Sequence, residues 1–245
     1  MASLPFIGMA RERERLARAV KARESVLLLG PTGSGKTRLI HECGNDQLLC
    51  IGWEKSLHSL LVAMARCLIT VQHPELMRRV RLVGGADCEA WLAAQSSVHL
   101  KGLLWNAIEH VPIAMALDGI TGAGFPTYRF LQKVYHTRGV CLVAAARDVA
   151  SLGTLGRLFW DPARALNLPA LQQRDATQLF ECAADHFHLR DLELEEFREK
   201  VLESAQGNPG EIIEMCRLAT QPQYVSGRYI KFAPLRIDTV IRFGA

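Results

Sequence analysis

One short segment, residues 30–37, restricts the fold of this chain more than any other. It reads GPTGSGKT, which fits the pattern GxxxxGK[ST] without a departure, and it lies between a short apolar run and a helical pattern. Gly33 and Gly35 let backbone N–H groups close around phosphate oxygens in conformations that a side chain would obstruct. The positive end of the helix that begins near Lys36 points at the same anion. The sequence therefore predicts a strand, a phosphate-binding loop and a helix in succession.

The loop and one acidic residue predict a site for ATP and Mg²⁺. Lys36 is expected to reach the β- and γ-phosphates, and the Thr37 hydroxyl is expected to hold the metal ion. Asp118 ends a buried apolar run, where a carboxylate is the expected second anchor for Mg²⁺, usually through water. The alternative is a solvated turn, because Asp-Gly is also a turn signal. The loop residues predicted to contact the nucleotide are Gly30, Pro31, Thr32, Gly33, Ser34, Gly35, Lys36, Thr37 and Arg38.

Apolar strands alternate with helices over the first two thirds of the chain. The strand candidates read SVLLLG (25–30), QLLCIGW (47–53), PIAMALD (112–118) and GVCLVAAARD (139–148). Apolar runs of this length, separated by helical patterns, are typical of a parallel sheet that is covered on both faces. The predicted fold class is therefore α/β, with a three-layer core around a parallel sheet.

The pattern changes after Pro169. Residues 174–220 show helical periodicity and no strand, which predicts a small helical subdomain. The last residues contain two apolar runs on either side of Pro234, and we expect them to form two short β-strands. The predicted parts of the chain are an α/β nucleotide-binding core at 1–168, a helical lid at 169–220 and a short tail at 221–245.

Composition and charge narrow the functional classes only partly. The 245 residues carry a formal net charge of +4, which permits contact with DNA or an acidic partner but is explained equally well by solvated arginines. The seven cysteines are scattered and include no CxxC pair, which argues against a disulfide framework or a zinc site. The apolar run at the start is too short for a signal peptide, and no apolar run approaches the roughly 20 residues of a membrane helix. We therefore expect a cytoplasmic protein that makes no contact with a membrane.

Together, the loop and Asp118 give the chain a resemblance to the AAA+ class of P-loop ATPases. Within that class it looks most like the signal-transducing STAND ATPases and the archaeal and origin-recognition-type relatives. FIG at 6–8 resembles the N-terminal segment of the adenine pocket, and QGNPGEIIEM at 206–215 resembles the Gly-x-Pro signature of the lid. CLVAAARD at 141–148 resembles the sensor strand, with alanines in place of threonines and with Arg147 kept.

The resemblance implies further contacts with the nucleotide. Phe6, Ile7 and Gly8 would line the adenine pocket, and Pro209 would pack near the adenine when the lid closes. Residues 208–210 read Asn-Pro-Gly, where origin-recognition-type enzymes usually carry an arginine that touches the γ-phosphate. The lid of this chain is therefore expected to sense the nucleotide without that arginine.

Several arginines have two interpretations each. Arg147 follows a buried strand and is predicted to contact the γ-phosphate, because ligands bind beyond the carboxyl ends of the strands in such sheets; a surface arginine is the alternative. Arg157 and Arg164 flank LFWDPA and are candidates for arginine fingers in an assembly, but a surface or structural role is favoured. The arginine cluster at 78–81 would suit nucleic acid, yet it lacks interleaved aromatic residues, which favours a solvated face.

The residue after Asp118 is Gly119, where many ATP-hydrolysing enzymes carry a glutamate. Losing a general base costs a factor of ~10²–10⁴ in rate, whereas nucleotide affinity resides in the loop, Lys36 and Mg²⁺. Glu54, at the end of the second strand candidate, is an alternative base if the sheet places its strand beside that of Asp118. Otherwise Glu54 is a solvated loop carboxylate.

These features predict an ATP-binding protein that hydrolyses ATP slowly, with Mg²⁺, and that acts as a nucleotide-dependent switch. Two alternatives stay open: a DNA-associated AAA+ ATPase, such as a replication or transposition helper that forms ATP-dependent oligomers, and a binding module without turnover. The expected partners are ATP or ADP and either another protein or further copies of the chain, with DNA as an alternative partner. The predicted catalytic residues are Lys36, Asp118, Arg147 and Glu54.

Overall fold

The chain folds into two compact units. The phosphate-binding loop belongs to the same unit as the helices of the predicted lid, although in the chain it directly follows a strand of the other unit. The boundaries predicted at 168 and 220 stay a prediction. The computed structural model describes residues 4–44, 48–81 and 88–243. The sheet unit consists of residues 11–30 and 39–167, and the loop–lid unit consists of residues 1–10, 31–38 and 168–245.

The sheet unit contains a five-stranded parallel sheet. Its strands are β1 (Val26–Leu29), β2 (Leu48–Gly52), β3 (Ile113–Ile120), β4 (Val140–Ala146) and β5 (Ala165–Asn167). Their order in the sheet is β2–β3–β4–β1–β5, with every pair parallel. β4 thus lies between β1, which precedes the loop, and β3, which contains Asp118. The first four strands coincide with the four strand candidates of the sequence, whereas the short β5 was not predicted.

Burial explains why these segments form the centre of the sheet. Every residue of β4 and the first five residues of β3 are buried, as expected for parallel strands that are covered on both faces. Leu27 of β1 pairs with Ala144 on one side and with Ala165 on the other. Asp118 is the first residue of β3 that is only partly buried, so its carboxylate lies where the apolar core ends.

Helices supply the rest of this core. The helices are α1 (Ala10–Ala22), α2 (Lys36–Gly44), α3 (Leu57–Thr70), α4 (Pro74–Arg81), α5 (Cys88–Ala94), α6 (Ser97–His110) and α7 (Phe125–Tyr135), and the 3₁₀ segments are Ala150–Leu158 and Pro162–Arg164. Residues of α3, α6 and α7 join the strands in one hydrophobic cluster. Ser56 caps α3 by accepting the Ser59 N–H, and Ser96 caps α6 by accepting the His99 N–H. The first residues of α1 and α2 belong to the loop–lid unit.

The loop–lid unit is helical, with one small hairpin. Its elements are α8 (Gln173–His186), α9 (Leu194–Ala205), α10 (Pro209–Leu218), the 3₁₀ segment Pro222–Tyr224, β6 (Val225–Ser226), β7 (Tyr229–Ile230) and α11 (Phe232–Phe243). α10 packs against α8, α9 and α11, with Ile212 and Met215 fully buried. Asn208 caps α10, and Pro209 occupies its first turn, where the missing N–H has no intrahelical partner to lose.

The tail differs from its prediction around Pro234. The run before Pro234 contains β7 of the two-stranded hairpin, as expected, but the run after Pro234 forms α11 in place of the expected strand. Pro234 is the third residue of α11, so it takes one of the positions whose N–H has no intrahelical partner. Arg236 pairs with Glu211 and Arg242 pairs with Glu214 of α10. These tertiary contacts favour the helix over the local preference for strand.

Candidate nucleotide-binding site

The phosphate-binding loop holds two glycines in the left-handed region. Gly33 has a φ of +81° and Gly35 a φ of +92°, and the Ser34 N–H between them donates to the Pro31 carbonyl at 3.1 Å. A β-carbon on Gly35 would meet no atom within 4 Å, whereas one on Gly33 would lie 2.5 Å from the ring of Phe243. Gly35 therefore faces open space, whereas Phe243 and Asn208 lie too close to Gly33 to leave room for a side chain there.

Lys36 folds back over its own loop. Its Nζ donates to the Pro31 carbonyl at 2.9 Å and lies 3.4 Å from the Ser34 hydroxyl. An ammonium group carries three donors, and these two contacts hold it over the loop. Lys36 is also the first residue of α2, whose N-terminal N–H groups favour an anion at the same point.

A cavity of about 300 Å³ joins this loop to an apolar wall. The volume lies at the lower end of the range for small-molecule sites, which runs from roughly 300 to 1,000 Å³. The loop side carries the polar groups, and the other side is apolar. The cavity is lined by Leu4, Pro5, Phe6, Ile7, Met9, Gly33, Gly35, Lys36, Thr37, Arg38, Leu179, Pro209, Gly210 and Ile213.

Eight of the predicted nucleotide contacts line the cavity. These are Phe6, Ile7, Gly33, Gly35, Lys36, Thr37, Arg38 and Pro209. Arg38 also donates from Nη2 to the Leu4 carbonyl at 2.7 Å and so ties α2 to the N-terminal segment. Their contact with a nucleotide stays a prediction, but the structure gathers them around one cavity.

The remaining predicted contacts lie outside the cavity wall. Gly8 has a φ of +75°, and a β-carbon there would lie 2.7 Å from the Leu171 side chain, so it serves the packing of the N-terminal segment on the start of α8. Thr32 and Pro31 use their carbonyl groups as acceptors within the loop–lid unit. Gly30 and Ser34 are likewise not in the wall. Gly30 directly follows β1 and still belongs to the sheet unit.

Six residues of the wall and two beside the loop were not predicted; those of the wall are Leu4, Pro5, Met9, Leu179, Gly210 and Ile213. Ile213 follows Pro209 by four positions, so helical periodicity would have placed it on the same face of α10. Helical periodicity alone does not point to Leu179 of α8, because its place in the wall depends on the packing of α8 against α10. Asn208 donates from Nδ2 to the Thr32 carbonyl at 2.9 Å, and Phe243 lies against Gly33. No local pattern marks these two long-range contacts.

Asp118 and Glu54 lie at the ends of neighbouring strands of the sheet unit. β2 pairs with β3, with Gly52 opposite Asp118, and the Trp53 N–H donates to the Asp118 carbonyl at 2.8 Å. Glu54 is the next residue and is exposed. The condition for Glu54 to act as an alternative base, that its strand lies beside that of Asp118, is therefore met. Its role itself stays a prediction.

Gly119 forms part of an irregularity in β3. The pairing of β3 with β4 shifts register between Leu117 and Ile120, and Gly119 has a φ of +78°. A β-carbon there would meet no atom within 4 Å, so the position has room for a side chain but not a backbone that suits one. Bulges of this kind turn the neighbouring side chain to a new direction, here that of Asp118.

Arg147 follows the end of β4 and is exposed. Its neighbour Asp148 accepts the backbone N–H of Ser151 at 2.7 Å and its hydroxyl at 2.8 Å. These hydrogen bonds, with a smaller contribution from the charge of Arg147, hold the pKa of Asp148 below its usual value. Because β3 and β4 are adjacent and parallel, Arg147 and Asp118 lie at the same edge of the sheet.

The remaining arginines singled out from the sequence differ in exposure and in hydrogen-bond partners. Arg164 donates to the Tyr135 hydroxyl at 2.9 Å and lies 3.8 Å from the Asp161 carboxylate, which agrees with a structural role. Arg157 and Arg78 are exposed. The side chains of the other two arginines of the 78–81 cluster lie outside the described residues.

Other classes of site have no support in the described part of the chain. Its His, Cys, Asp and Glu side chains form no group of three or more suited to a metal ion. Burial raises the pKa of the Cys141 thiol to about 11 and that of Cys216 to about 12, so neither is a thiolate at neutral pH. None of the helices in the described ranges is long and apolar enough to cross a bilayer.

Solved structures share this fold at low sequence identity. The RuvB Holliday junction branch migration motor of Thermotoga maritima matches with a TM-score of 0.53 and 16% identity, over 97% of this chain and 70% of that one. Cdc6p from Pyrobaculum aerophilum matches with a TM-score of 0.60 and 12% identity, over 89% of this chain and 63% of that one. The Walker-type ATPase PABY2304 of Pyrococcus abyssi gives 0.60 and 12%, over 97% and 72%. The chain has an AAA+ ATPase fold.

This likeness confirms the predicted α/β P-loop fold, including its similarity to origin-recognition-type proteins. At such identities it shows the fold alone. The sequence matches the model of no known protein family and no curated protein. The more specific resemblance to STAND ATPases stays a prediction.

Proposed function

We propose that this protein is a nucleotide-dependent switch that binds ATP and hydrolyses it slowly with Mg²⁺. The observation that carries the proposal is the single cavity that joins the GPTGSGKT loop to an apolar wall within one compact unit. Its polar side suits a phosphate chain, and its apolar side suits a flat base. A ligand with both parts would use the whole cavity.

Different residues of the cavity would bind the base and the phosphate chain. Phe6, Ile7 and Pro209 offer apolar surface to the base, and Pro209 and Ile213 come from the same face of α10. The loop N–H groups and Lys36 would bind the phosphate chain. Backbone donors of this kind bind phosphate without losing side-chain freedom.

The donor chemistry also suits Mg²⁺, which prefers hard oxygen ligands and keeps several of its waters. Thr37 would offer its hydroxyl directly, and Asp118 would act through water. The bound ion would neutralise the phosphate chain and orient its terminal group.

Slow turnover follows from the residues around Asp118. Gly119 offers no carboxylate beside it, and missing general bases typically cost ~10²–10⁴ in rate. Glu54 is the alternative base, from the neighbouring strand β2. A slow reaction after tight binding gives the bound state time to act on a partner, which suits a switch better than a motor.

The first prediction concerns binding. Lys36→Ala should weaken ATP binding by about 10- to 100-fold, because it removes a charge-assisted bond worth ~1.5–3 kcal/mol. Isothermal calorimetry with Mg²⁺ measures it. Lys21→Ala, at an exposed lysine of α1, is the control and should bind ATP like the wild type. Equal affinity of Lys36→Ala and wild type would remove the support for a nucleotide site here.

A DNA-associated, oligomeric ATPase is the second candidate. The sheet unit exposes 81% of Trp160 and 66% of Phe125 to solvent, and exposed aromatic residues are frequent at protein interfaces. RuvB, a Holliday junction branch migration motor, shares the fold. Light scattering after size exclusion, with and without ATP and duplex DNA, separates the two candidates. A larger particle only with ATP favours the oligomer, and an unchanged monomer favours the switch.

A further inference from the structure

We propose that the start of α10 holds the phosphate-binding loop in its anion-binding shape, with Asn208 and Gly210 as positioning residues. This inference rests on the nucleotide binding proposed above. Asn208 Nδ2 lies 2.9 Å from the Thr32 carbonyl oxygen, and the Gly210 nitrogen lies 2.9 Å from the Gly33 carbonyl oxygen. Two donors from one helix start thus bind two consecutive carbonyl groups of the loop, and we call this pair of hydrogen bonds the lid link.

The lid link fixes the direction of the loop's own donors. A peptide unit is planar and trans, so a fixed carbonyl group also fixes the N–H on the other side of the same unit. The Thr32 carbonyl therefore sets the Gly33 N–H, and the Gly33 carbonyl sets the Ser34 N–H, which closes the loop on the Pro31 carbonyl. Gly33 has a φ of +81°, one of several conformations open to a glycine. Bonds from outside the loop select that conformation before a ligand arrives, which lowers the entropy lost on binding.

The contact between α10 and the loop is too close to admit a side chain. A β-carbon on Gly210 would lie 2.6 Å from the Gly33 α-carbon, and one on Gly33 would lie 2.6 Å from Asn208 Oδ1. Phe243 of α11 lies against the same glycine, 2.5 Å from the place of its absent β-carbon. Gly210 therefore owes its identity to the loop as well as to its own helix.

This link recognises a different part of the ligand from an arginine on the γ-phosphate. The loop donors serve the phosphate groups that ATP and ADP have in common. Breaking the link should weaken the binding of ATP, ADP and inorganic tripolyphosphate by the same factor. Loss of a γ-phosphate contact would weaken the binding of ATP and leave that of ADP unchanged.

Asn208 allows the link to be separated from helix capping. Its Oδ1 accepts the N–H groups of Gly210 at 3.1 Å and Glu211 at 3.4 Å and so caps α10. Serine is an equally good cap, but it has no amide group to reach the Thr32 carbonyl. Asn208→Ser therefore removes one bond of the link and keeps the cap.

Calorimetry of wild type and Asn208→Ser with ATP, ADP and tripolyphosphate, at one Mg²⁺ concentration, tests the proposal. We expect all three affinities to fall by the same factor, about 3- to 10-fold, as for one lost hydrogen bond. The melting temperature should fall by no more than a few degrees, as for one lost hydrogen bond, because the cap is kept. Unchanged affinities, or a loss confined to ATP, would overturn the proposal.

Gly210→Ala provides an independent variant. The added methyl group must push α10 away from Gly33, so we expect the same uniform loss of all three affinities. Gly102→Ala is the matched control, because it makes the same change in α6, where a β-carbon meets no atom within 4 Å. Wild-type binding by Gly210→Ala would overturn this inference alone, whereas a wild-type chain that binds none of the ligands would overturn the proposed function with it.

Discussion

Gly119 shows how one backbone angle limits what a position can do for catalysis. Its φ of +78° in the bulge after Asp118 makes a glutamate there strained by about 1 kcal/mol or more. We expect Gly119→Glu to leave phosphate release at the slow wild-type level, well below the enzyme median of about 10 s⁻¹, and to lower the melting temperature. A phosphate-release assay and thermal unfolding measure both. Gly119→Ala, with the strain but no carboxylate, is the control. Faster phosphate release by Gly119→Glu alone would contradict the view that the backbone angle prevents a glutamate at this position from acting as a base.

Glu54 is the second residue that bears on turnover. It follows Trp53, whose N–H is bonded to the Asp118 carbonyl, but it is exposed. We expect Glu54→Gln to leave both ATP affinity and the slow rate of phosphate release unchanged, as a solvated carboxylate would. If the variant binds ATP and releases no phosphate, Glu54 is the displaced base and the slow rate has another cause.

Among the elements, α11 is attached to α10 by two ion pairs, and Glu214 supplies the carboxylate of one of them. Two hydrogen bonds from Arg217, and then the charge of Arg242, hold the pKa of Glu214 below its usual 4.5. A carboxylate whose pKa is lowered by folding stabilises the folded chain at pH values above its usual pKa. This contribution to the free energy of unfolding is lost as the pH falls through the lowered pKa. We expect Glu214→Gln to cost about 1 kcal/mol at neutral pH and to converge with the wild type as the pH falls below 4.5.

Thermal unfolding of both chains between pH 7 and pH 3 tests this expectation. Glu196→Gln is the control, because it breaks one exposed pair with Lys200 on α9 and should show a smaller difference from the wild type. A difference between Glu214→Gln and wild type that grows on acidification would have the wrong sign for a carboxylate with a lowered pKa.

The elements also show where sequence was informative. The loop and the first four strands were predicted because their signals are local: glycine positions, apolar runs and a helix start. α11 was not, because its β-branched residues favour strand and only contacts with Glu211 and Glu214 of α10 decide for helix. The bond between Asn208 and Thr32 joins residues 176 positions apart, and no short pattern carries that information.

For the whole molecule, the grouping of loop and lid in one unit predicts where a ligand acts. Bound ligand stabilises the parts of the chain that form its site, and every residue in the cavity wall belongs to the loop–lid unit. Hydrogen exchange with ATP and Mg²⁺ should therefore show its strongest new protection at residues 31–38 and in α10. Lys36→Ala should lose that protection, and protection confined to the sheet unit would contradict the prediction.

The loop–lid unit is assembled from pieces that are far apart in the chain, and this has a consequence for synthesis. The partners of residues 31–38 that follow them in the chain begin at residue 168, so at about 5–20 residues per second the nascent loop waits on the order of ten seconds for them. During that time the ribosome-bound chain carries the complete GPTGSGKT motif without the helices that form the wall of its cavity. The growing polypeptide therefore becomes competent to bind nucleotide only after α8 and α10 have been synthesised.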